Sequence, residues 1–568
     1  MIRTILKKFK KWIFIYLVLG ILLNLSNCLI VVIFQKFIDS CQNIAQIEKI
    51  IIYIVVFGIL LLIANILGYL QNYPETYLEN AITEQIKLLA LEKISRIEYE
   101  QYQKNGTGKI VQLIENGSSA GTSIIFSFFL RIFSDLLPSI FFSLFFIGSM
   151  NISVMIALAI GYIFVFIISQ LLMKKLYEYK ERLLHSQEQK SKYSIRSFME
   201  LVVFRINKQY RSEIEKIENI AQDVINNECK IIMTHEAFFS LFELLVTIIK
   251  ILILLLGIRN LISGNTTIGI LVALISLVDK VYNPIAIFNV LFIQYKLNRY
   301  TYNRLIDFIS ENDDKNLYVG QPVQEIRQSI EIKNLSYSYN DKPCFSGLNM
   351  EICKGLTVAL VGESGGGKST LVKLLCGLLK KQDGQILING EDIDSLELNS
   401  YYDHISYLSQ ETSVFDGTIR ENIVFQDNID DNVIYGYLRE VNLYEKVQSL
   451  ENQLDTAVGE RGIQLSGGER QRLALARVLA QKKEIVILDE ATSALDIINE
   501  QIVINNIIRS KQGCTIIIIA HRIQSIKNAD SIIVFKNFKI DSVGTFNELL
   551  QHSSYFRELW NKGMDQNF

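Results

Sequence analysis

Leu356-Thr357-Val358-Ala359-Leu360-Val361-Gly362-Glu363-Ser364-Gly365-Gly366-Gly367-Lys368-Ser369-Thr370 decides the fold of the second half of this 568-residue chain. A strand-like apolar run feeds a GxxxxGK[ST] loop and helix-forming residues follow, which is the strand, loop, helix context the motif needs. The glycines let the backbone wrap until several N–H groups and a helix N-terminus face phosphate. Lys368 is placed to neutralise β/γ charge, and Ser369 offers a hydroxyl to Mg²⁺.

Downstream, Ile485-Val486-Ile487-Leu488 ends in Asp489-Glu490, two carboxylates at the C-terminal edge of a buried parallel strand. Asp489 suits a Mg²⁺-linked role and Glu490 is placed to polarise an attacking water. An isolated acidic pair would serve equally well as a helix cap; one that follows four β-preferring apolar residues reads as a strand end. Between the two motifs lies Leu465-Ser466-Gly467-Gly468-Glu469-Arg470-Gln471-Arg472. A hydroxyl and two glycines opening a helix make a second anion site.

With these motifs in this order, residues 329–568 resemble the nucleotide-binding domain of an ABC transporter of the exporter type. The resemblance implies ATP and Mg²⁺ as ligands. It implies that Tyr339 stacks on adenine, that the loop from Gly362 to Thr370 (Gly362, Glu363, Ser364, Gly365, Gly366, Gly367, Lys368, Ser369, Thr370) cradles the phosphates, and that Gln410 reaches Mg²⁺ and the attacking water. His521, in Ala520-His521-Arg522, matches the γ-phosphate histidine, so Glu490, His521 and Gln410 form the expected catalytic set, with Ser369, Gln410 and Asp489 at the metal. Ser466, Gly467, Gly468, Glu469 and Asp496, the last in Ser493-Ala494-Leu495-Asp496, match segments that face a second subunit. Thr456–Gly462 resembles the exporter segment that touches cytoplasmic loops. ATP in this family lies between Lys368 of one domain and Ser466 and Gly468 of another, so the chain is expected to dimerise. Glu490, His521, Gln410 and the full LSGGE sequence are all present, so two identical copies would build two competent sites, and a homodimer is expected.

The first half is of another kind. Hydrophobic residues make up 49% of the chain and mean hydropathy is +0.24, values a wholly soluble protein of this length rarely reaches. Apolar stretches long enough for about 30 Å of hydrocarbon fall near Trp12–Phe34, Ile50–Leu70, Thr122–Met150, Ile152–Leu172, Phe238–Ile258 and Thr267–Phe292. Six spans put both ends on one side, and Arg3, Lys7, Lys8, Lys10 and Lys11 before the first span place that side in the cytoplasm. A cleaved signal peptide would have a shorter core followed by a small-residue cleavage site. The expected architecture is an all-α six-helix transmembrane domain (1–310) with two long cytoplasmic loops, a linker (311–327), and an α/β P-loop ATP-binding domain (328–568), in a bacterial plasma membrane. Tyr102–Leu113 and Ser197–Phe204 sit where helices that dock on the ATPase would lie. Glu115-Asn116-Gly117 departs from the Asn-Asp pair frequent there.

Net charge is −2, so no overall basic field points to nucleic acid. Seven cysteines show no close ligand pair. Charges inside the spans narrow the cargo least: Arg131 and Asp135, spaced i, i+4, can satisfy each other; Glu243, Lys250, Asp279 and Lys280 lie in spans five and six. Taking the outer turn at Gly264-Asn265, Lys250 and Asp279 sit at equal depth, about 22 Å along each helix at 1.5 Å per residue, where an ion pair or a cavity lining is expected. Pro138 and Pro284 predict kinks or hinges. ATP-driven export follows, of a peptide first and of a lipid or drug second; an exporter-fold importer of metal-chelating molecules and a non-transport sensor are the remaining alternatives. The first span begins near Trp12, leaving no room before it for a peptidase, so a peptide cargo is expected to arrive already trimmed.

Overall fold

The computed structural model describes residues 1–41, 47–264, 266–339, 342–410, 413–425, 429–459, 462, 464–492, 494–520 and 522–565, without the side chains of 157, 159, 162–174, 177, 289, 497 and 563–565. Contacts divide it into two units: Met1–Ser95 with Gly106–Glu311, and Arg96–Asn105 with Asn312–Phe568.

The first unit is helical. Its long helices are α1 (Lys10–Cys41), α2 (Ile47–Ile94), α3 (Thr107–Met150), α4 (Ile152–Met199), α5 (Tyr210–Ile262) and α6 (Ile268–Ser310). Five of them are long and apolar enough to cross a membrane; the exception is α4, where most side chains of the expected fourth span lie outside the described residues. Ile51, Ile54, Val55, Leu62 and Ile66 are all more than half exposed or nearly so around α2, a surface that only lipid or another apolar partner tolerates. The core packs Leu277, Val278, Val281 and Tyr282 of α6 against Phe238, Phe242 and Val246 of α5.

Backbone groups without water must be satisfied within the protein, and the two span prolines show how. Pro284 removes the N–H that an α-helix would aim at the Lys280 carbonyl; the Ser139 hydroxyl of α3 donates to that carbonyl at 2.9 Å. Pro138 likewise frees the Ser134 carbonyl, to which Asn24 Nδ2 donates at 3.4 Å. The turns before Pro138 are wider than α-helical: Ser123–Leu130 and Ile132–Leu136 are π-helical. Instead of a simple kink at the proline, the structure therefore has a widened helix preceding it. The charge expectations reappear as contacts: Arg131 Nε lies 3.8 Å from Asp135, and Lys250 Nζ lies 2.5 Å from Asp279. Asn265, used to count depth, lies outside the described residues. Gly117 has a packing reason: a Cβ there would sit 2.6 Å from the Cβ of Leu305, so α3 and α6 could not approach this closely with a side chain at that position.

A short helix lies near each of the two stretches expected to dock, a little displaced from it. The first is Tyr99–Asn105, stopped by Gly106 at φ +71°, so residues 107–113 already belong to α3. The second is Leu201–Ile206, followed by Lys208 at φ +58°.

The second unit has two sheets. A six-stranded sheet runs β10-β9-β3-β8-β7-β6, with β3 (Thr357–Gly362), β6 (Ile405–Leu408), β7 (Ile485–Asp489), β8 (Thr515–Ile519) and β9 (Ser531–Lys536) parallel and β10 (Lys539–Gly544) antiparallel at one edge. Strands β7 and β8 are buried throughout, as expected of a parallel sheet covered on both faces. The second sheet is antiparallel, β2-β1-β4-β5, from β1 (Ile330–Tyr339), β2 (Lys342–Ile352), β4 (Asp383–Ile388) and β5 (Glu391–Asp392). Residues 96–105 are part of this unit: Ile97 pairs with Asp313, Arg96 O accepts from Asp314 N at 2.8 Å, and Tyr337 donates to Glu100 at 3.1 Å. The segment expected as a linker is also held here, with Gln321 paired to Leu396 and Ile326 buried.

Ser139→Ala should leave the Lys280 carbonyl unsatisfied and cost about 1–3 kcal/mol, seen as a lower thermal midpoint in detergent. In a Pro284→Ala background, where residue 284 regains its N–H, the same substitution should cost much less.

Candidate functional site

Because β3, β6, β7 and β8 run the same way, their carboxyl ends deliver side chains to one sheet edge. From β3 comes the loop 362–367, turning into helix α7 (Lys368–Leu375). Glu363, Ser364 and Gly365 are exposed, whereas Lys368 is 5% exposed. The turn needs its glycines: Gly362 has φ +151° and a Cβ would sit 2.2 Å from the Phe535 carbonyl oxygen, and Gly367 has φ +91° against the Phe345 ring. Lys368 Nζ donates to the Gly362 and Glu363 carbonyls at 2.9 and 2.8 Å, so the ammonium is folded back over the loop it would neutralise. Burial holds it below the ordinary lysine range, while Glu490 and Asp489 pull the other way. Thr370, the next residue of α7 after Ser369, is half-buried beside Cys344.

Ser369 Oγ donates to Asp489 Oδ1 at 2.9 Å. Asp489 is 1% exposed and burial raises its pKa; the Ser369 bond opposes that rise, Glu490 adds to it, and Lys373 and the Tyr407 hydroxyl, at 3.4 Å, oppose it. Hydroxyl and carboxylate oxygens in contact are the hard ligands Mg²⁺ takes, with phosphate and water completing its shell. Among the described residues no group of three or more His, Cys, Asp or Glu that could hold a metal is found.

Glu490 follows at φ +52°, a left-handed conformation that a side-chain-bearing residue adopts at some cost. Its N–H donates to the Ile519 carbonyl at 3.1 Å, and its carboxylate accepts from Gln410 Nε2 beyond the end of β6. The structure thus brings Lys368, Ser369, Gln410, Asp489 and Glu490 together. His521 lies outside the described residues, as do Glu460, Arg461 and Ser493. Tyr339 ends β1, 42% exposed, edge-on to Tyr337 with centroids 4.9 Å apart.

The second anion motif opens helix α8 (Gly467–Ala480). Ser466 and Glu469 form a reciprocal cap: Ser466 Oγ accepts from Glu469 N at 3.2 Å and Glu469 accepts from Ser466 N at 2.7 Å. Gly467 and Gly468 lie against Ala494, and a Cβ on Gly468 would come within 3.3 Å of the Ala494 carbonyl. Gln471 Oε1 accepts from Ala494 N at 2.8 Å. Asp496 caps α9 (Ile497–Ser510) by accepting from Asn499 N. Ser466 and Asp496 are exposed.

One network escaped the sequence reading. Arg522 donates to the Leu495 carbonyl at 2.6 Å and to Glu500 at 2.9 Å, and Thr492 donates to the same carboxylate at 2.9 Å. Glu500, 3% exposed, therefore ties the residues after β7 to those after β8. In sequence it looks like an ordinary acidic residue in a helix's first turn, and only its burial reveals more.

The family model described as the ABC transporter transmembrane region matches residues 13–285, and the ABC transporter model matches residues 345–493. A putative export ATP-binding/permease protein of Rickettsia typhi is 30% identical over 98% of this chain and 97% of its own length. An ATP-dependent lipid A-core flippase of Saccharophagus degradans is 42% identical over 41% of this chain and 40% of its own. A bacterial Atm1-family ABC exporter solved with ATP bound is similar in fold with a TM-score of 0.85, at 20% identity over 98% of each chain.

Asp489 takes a proton at higher pH than an ordinary carboxylate, and a protonated Asp489 is a poor cation ligand. The acid limb of the ATPase pH profile should therefore lie above the usual carboxylate range. Tyr407→Phe removes a bond that favours the charged form, so the limb should move to still higher pH with the plateau rate retained.

Proposed function

The chain belongs to the ABC transporter family as a half-transporter that fuses membrane and ATPase regions, and from that premise we propose how its residues drive export. It is an ATP hydrolase coupled to transport. Two copies, in our reading identical, enclose ATP between Lys368 of one protomer and Ser466 and Gly468 of the other. What supports this is the exposure of Ser466 and Asp496, beside an anion-binding helix N-terminus.

The observation that carries the hydrolytic assignment is the Ser369, Asp489, Glu490 and Gln410 constellation at one sheet edge. Mg²⁺ bound by Ser369 and Asp489 would offset charge on the β and γ phosphates. Lys368 turns from its two loop carbonyls to the phosphates. Glu490 accepts a proton from water that Gln410 orients, its backbone strain fixing the carboxylate's direction. His521, directly before Arg522, is assigned to the γ-phosphate, and Tyr339 to the adenine. Closure of the ATPase pair, felt by the membrane helices through Tyr99–Asn105 and Leu201–Ile206, would switch the cavity's access. The basic N-terminus supports a cytoplasmic position for both chain ends in a bacterial plasma membrane.

For the cargo, we favour an amphiphile drawn from the bilayer over a peptide. What supports this is a relative named a lipid A-core flippase.

Glu490→Gln should bind ATP normally and hydrolyse it about 10²–10⁴-fold more slowly; near-normal turnover would remove Glu490 from its role. The purified chain, with no second half-transporter added, should hydrolyse ATP; activity that appears only on adding a different chain would refute the homodimer.

A further inference from the structure

A polar cluster between α1, α2 and α3 takes no part in the ATPase chemistry. Gln71 of α2, 5% exposed, donates from Nε2 to Asp135 Oδ1 at 3.2 Å and to Ser134 Oγ at 3.4 Å. Its Oε1 is buried with no hydrogen-bond partner. The Tyr16 hydroxyl of α1, fully buried, faces Ser134 but meets no partner at hydrogen-bonding geometry. Glu75, one turn from Gln71, lies within electrostatic reach of Arg131, Asp135 and Glu79. The backbones crowd here: a Cβ on Gly20 would fall 2.0 Å from Ser134 Oγ. On α3 the cluster spans the π-helical turns, a distortion frequent at functional sites.

Its depth follows from the aromatic residues around it. Trp12 packs on Tyr77 and Tyr73 with centroids 4.9 and 5.5 Å apart, and Tyr69 and Tyr73 are 79% and 65% exposed. Such rings mark the membrane–water boundary, and Gln71 and Glu75 lie between Tyr69 and Tyr77 in α2. Two carboxylates, Glu75 and Asp135, face one guanidinium, Arg131, whose 3.8 Å contact with Asp135 is loose. These carboxylates lie beside a buried amide acceptor without a donor. The cluster opens outward through the Arg131 and Asp135 side chains, 45% and 31% exposed.

We propose that this cluster binds the primary ammonium group of an amphiphile, its N–H donors shared among Gln71 Oε1, Asp135 and Glu75 while its chain lies along the adjoining apolar helices. This rests on the export reading above only in making that amphiphile the cargo. A cation suits a site where carboxylates outnumber the guanidinium, and three donors match acceptors that a quaternary ammonium or an amide could not satisfy.

Purified protein in phosphatidylcholine nanodiscs would be titrated with dodecylamine and with N-dodecylacetamide while thermal unfolding is followed. The amine should raise the midpoint saturably and the acetamide should not. Glu75→Gln should raise the half-saturating amine concentration about tenfold or more; Asp135→Asn provides the second variant should the first fold poorly. Replacing half of the phosphatidylcholine by phosphatidylethanolamine separates the sources: a shift without added amine identifies a lipid headgroup, and a shift with dodecylamine alone identifies a single-chain amine. Equal shifts with amine and acetamide, or unchanged half-saturation in both variants, would overturn the site. Because binding is read without turnover, amine that binds while leaving wild-type ATPase unmoved would keep the site and overturn its role in export.

Discussion

A parallel sheet has direction, and in the ATPase unit that direction is the constraint from which the chemistry follows. Strands β3, β6 and β7 end on one edge with β8 parallel between β3 and β7, so three segments far apart in sequence deliver a lysine, a glutamine and two carboxylates to one place. The Ser369–Asp489 hydrogen bond joins the helix after β3 to the end of β7, two strands away in the sheet. Were either strand reversed, none of these groups could meet. The strands sit inside the sheet because they are apolar on both faces: Ile485–Leu488 and Ile516–Ile519 are almost wholly buried.

The membrane unit answers to a different constraint, the absence of water to complete backbone hydrogen bonds. Its prolines are tolerated because a neighbouring helix supplies what each removes. The donors are Ser139 to the Lys280 carbonyl and Asn24 to the Ser134 carbonyl. Ion pairs follow the same logic, with Lys250 and Asp279 closing on each other across α5 and α6.

What could be read from the sequence was mostly local. The phosphate loop, the Asp489-Glu490 pair and the Ser466–Glu469 cap are contiguous motifs whose residue types state their geometry. The Lys250–Asp279 contact was reachable by counting residues from a turn, because two antiparallel helices share a rise per residue. Glu500 could not be read, because its burial between Arg522 and Thr492 is a product of the fold. The π-helical turns before Pro138 escaped notice for a related reason: they depend on packing between helices. The two short helices at Tyr99–Asn105 and Leu201–Ile206 are displaced by a few residues from the expected stretches because their ends are set by single backbone positions, Gly106 and Lys208, which periodicity does not register.

Residues 96–105 lie between two membrane helices in sequence yet fold with the ATPase, through the Ile97–Asp313 bridge and the Tyr337–Glu100 hydrogen bond. The seam between the two units is therefore not a single cut. Exchanging the ATPase domain at residue 311 would separate Tyr337 from the Glu100 carboxylate and Asp313 from its bridge partner Ile97. An ATPase domain grafted at residue 311 would therefore have to bring residues 96–105 with it to keep both contacts.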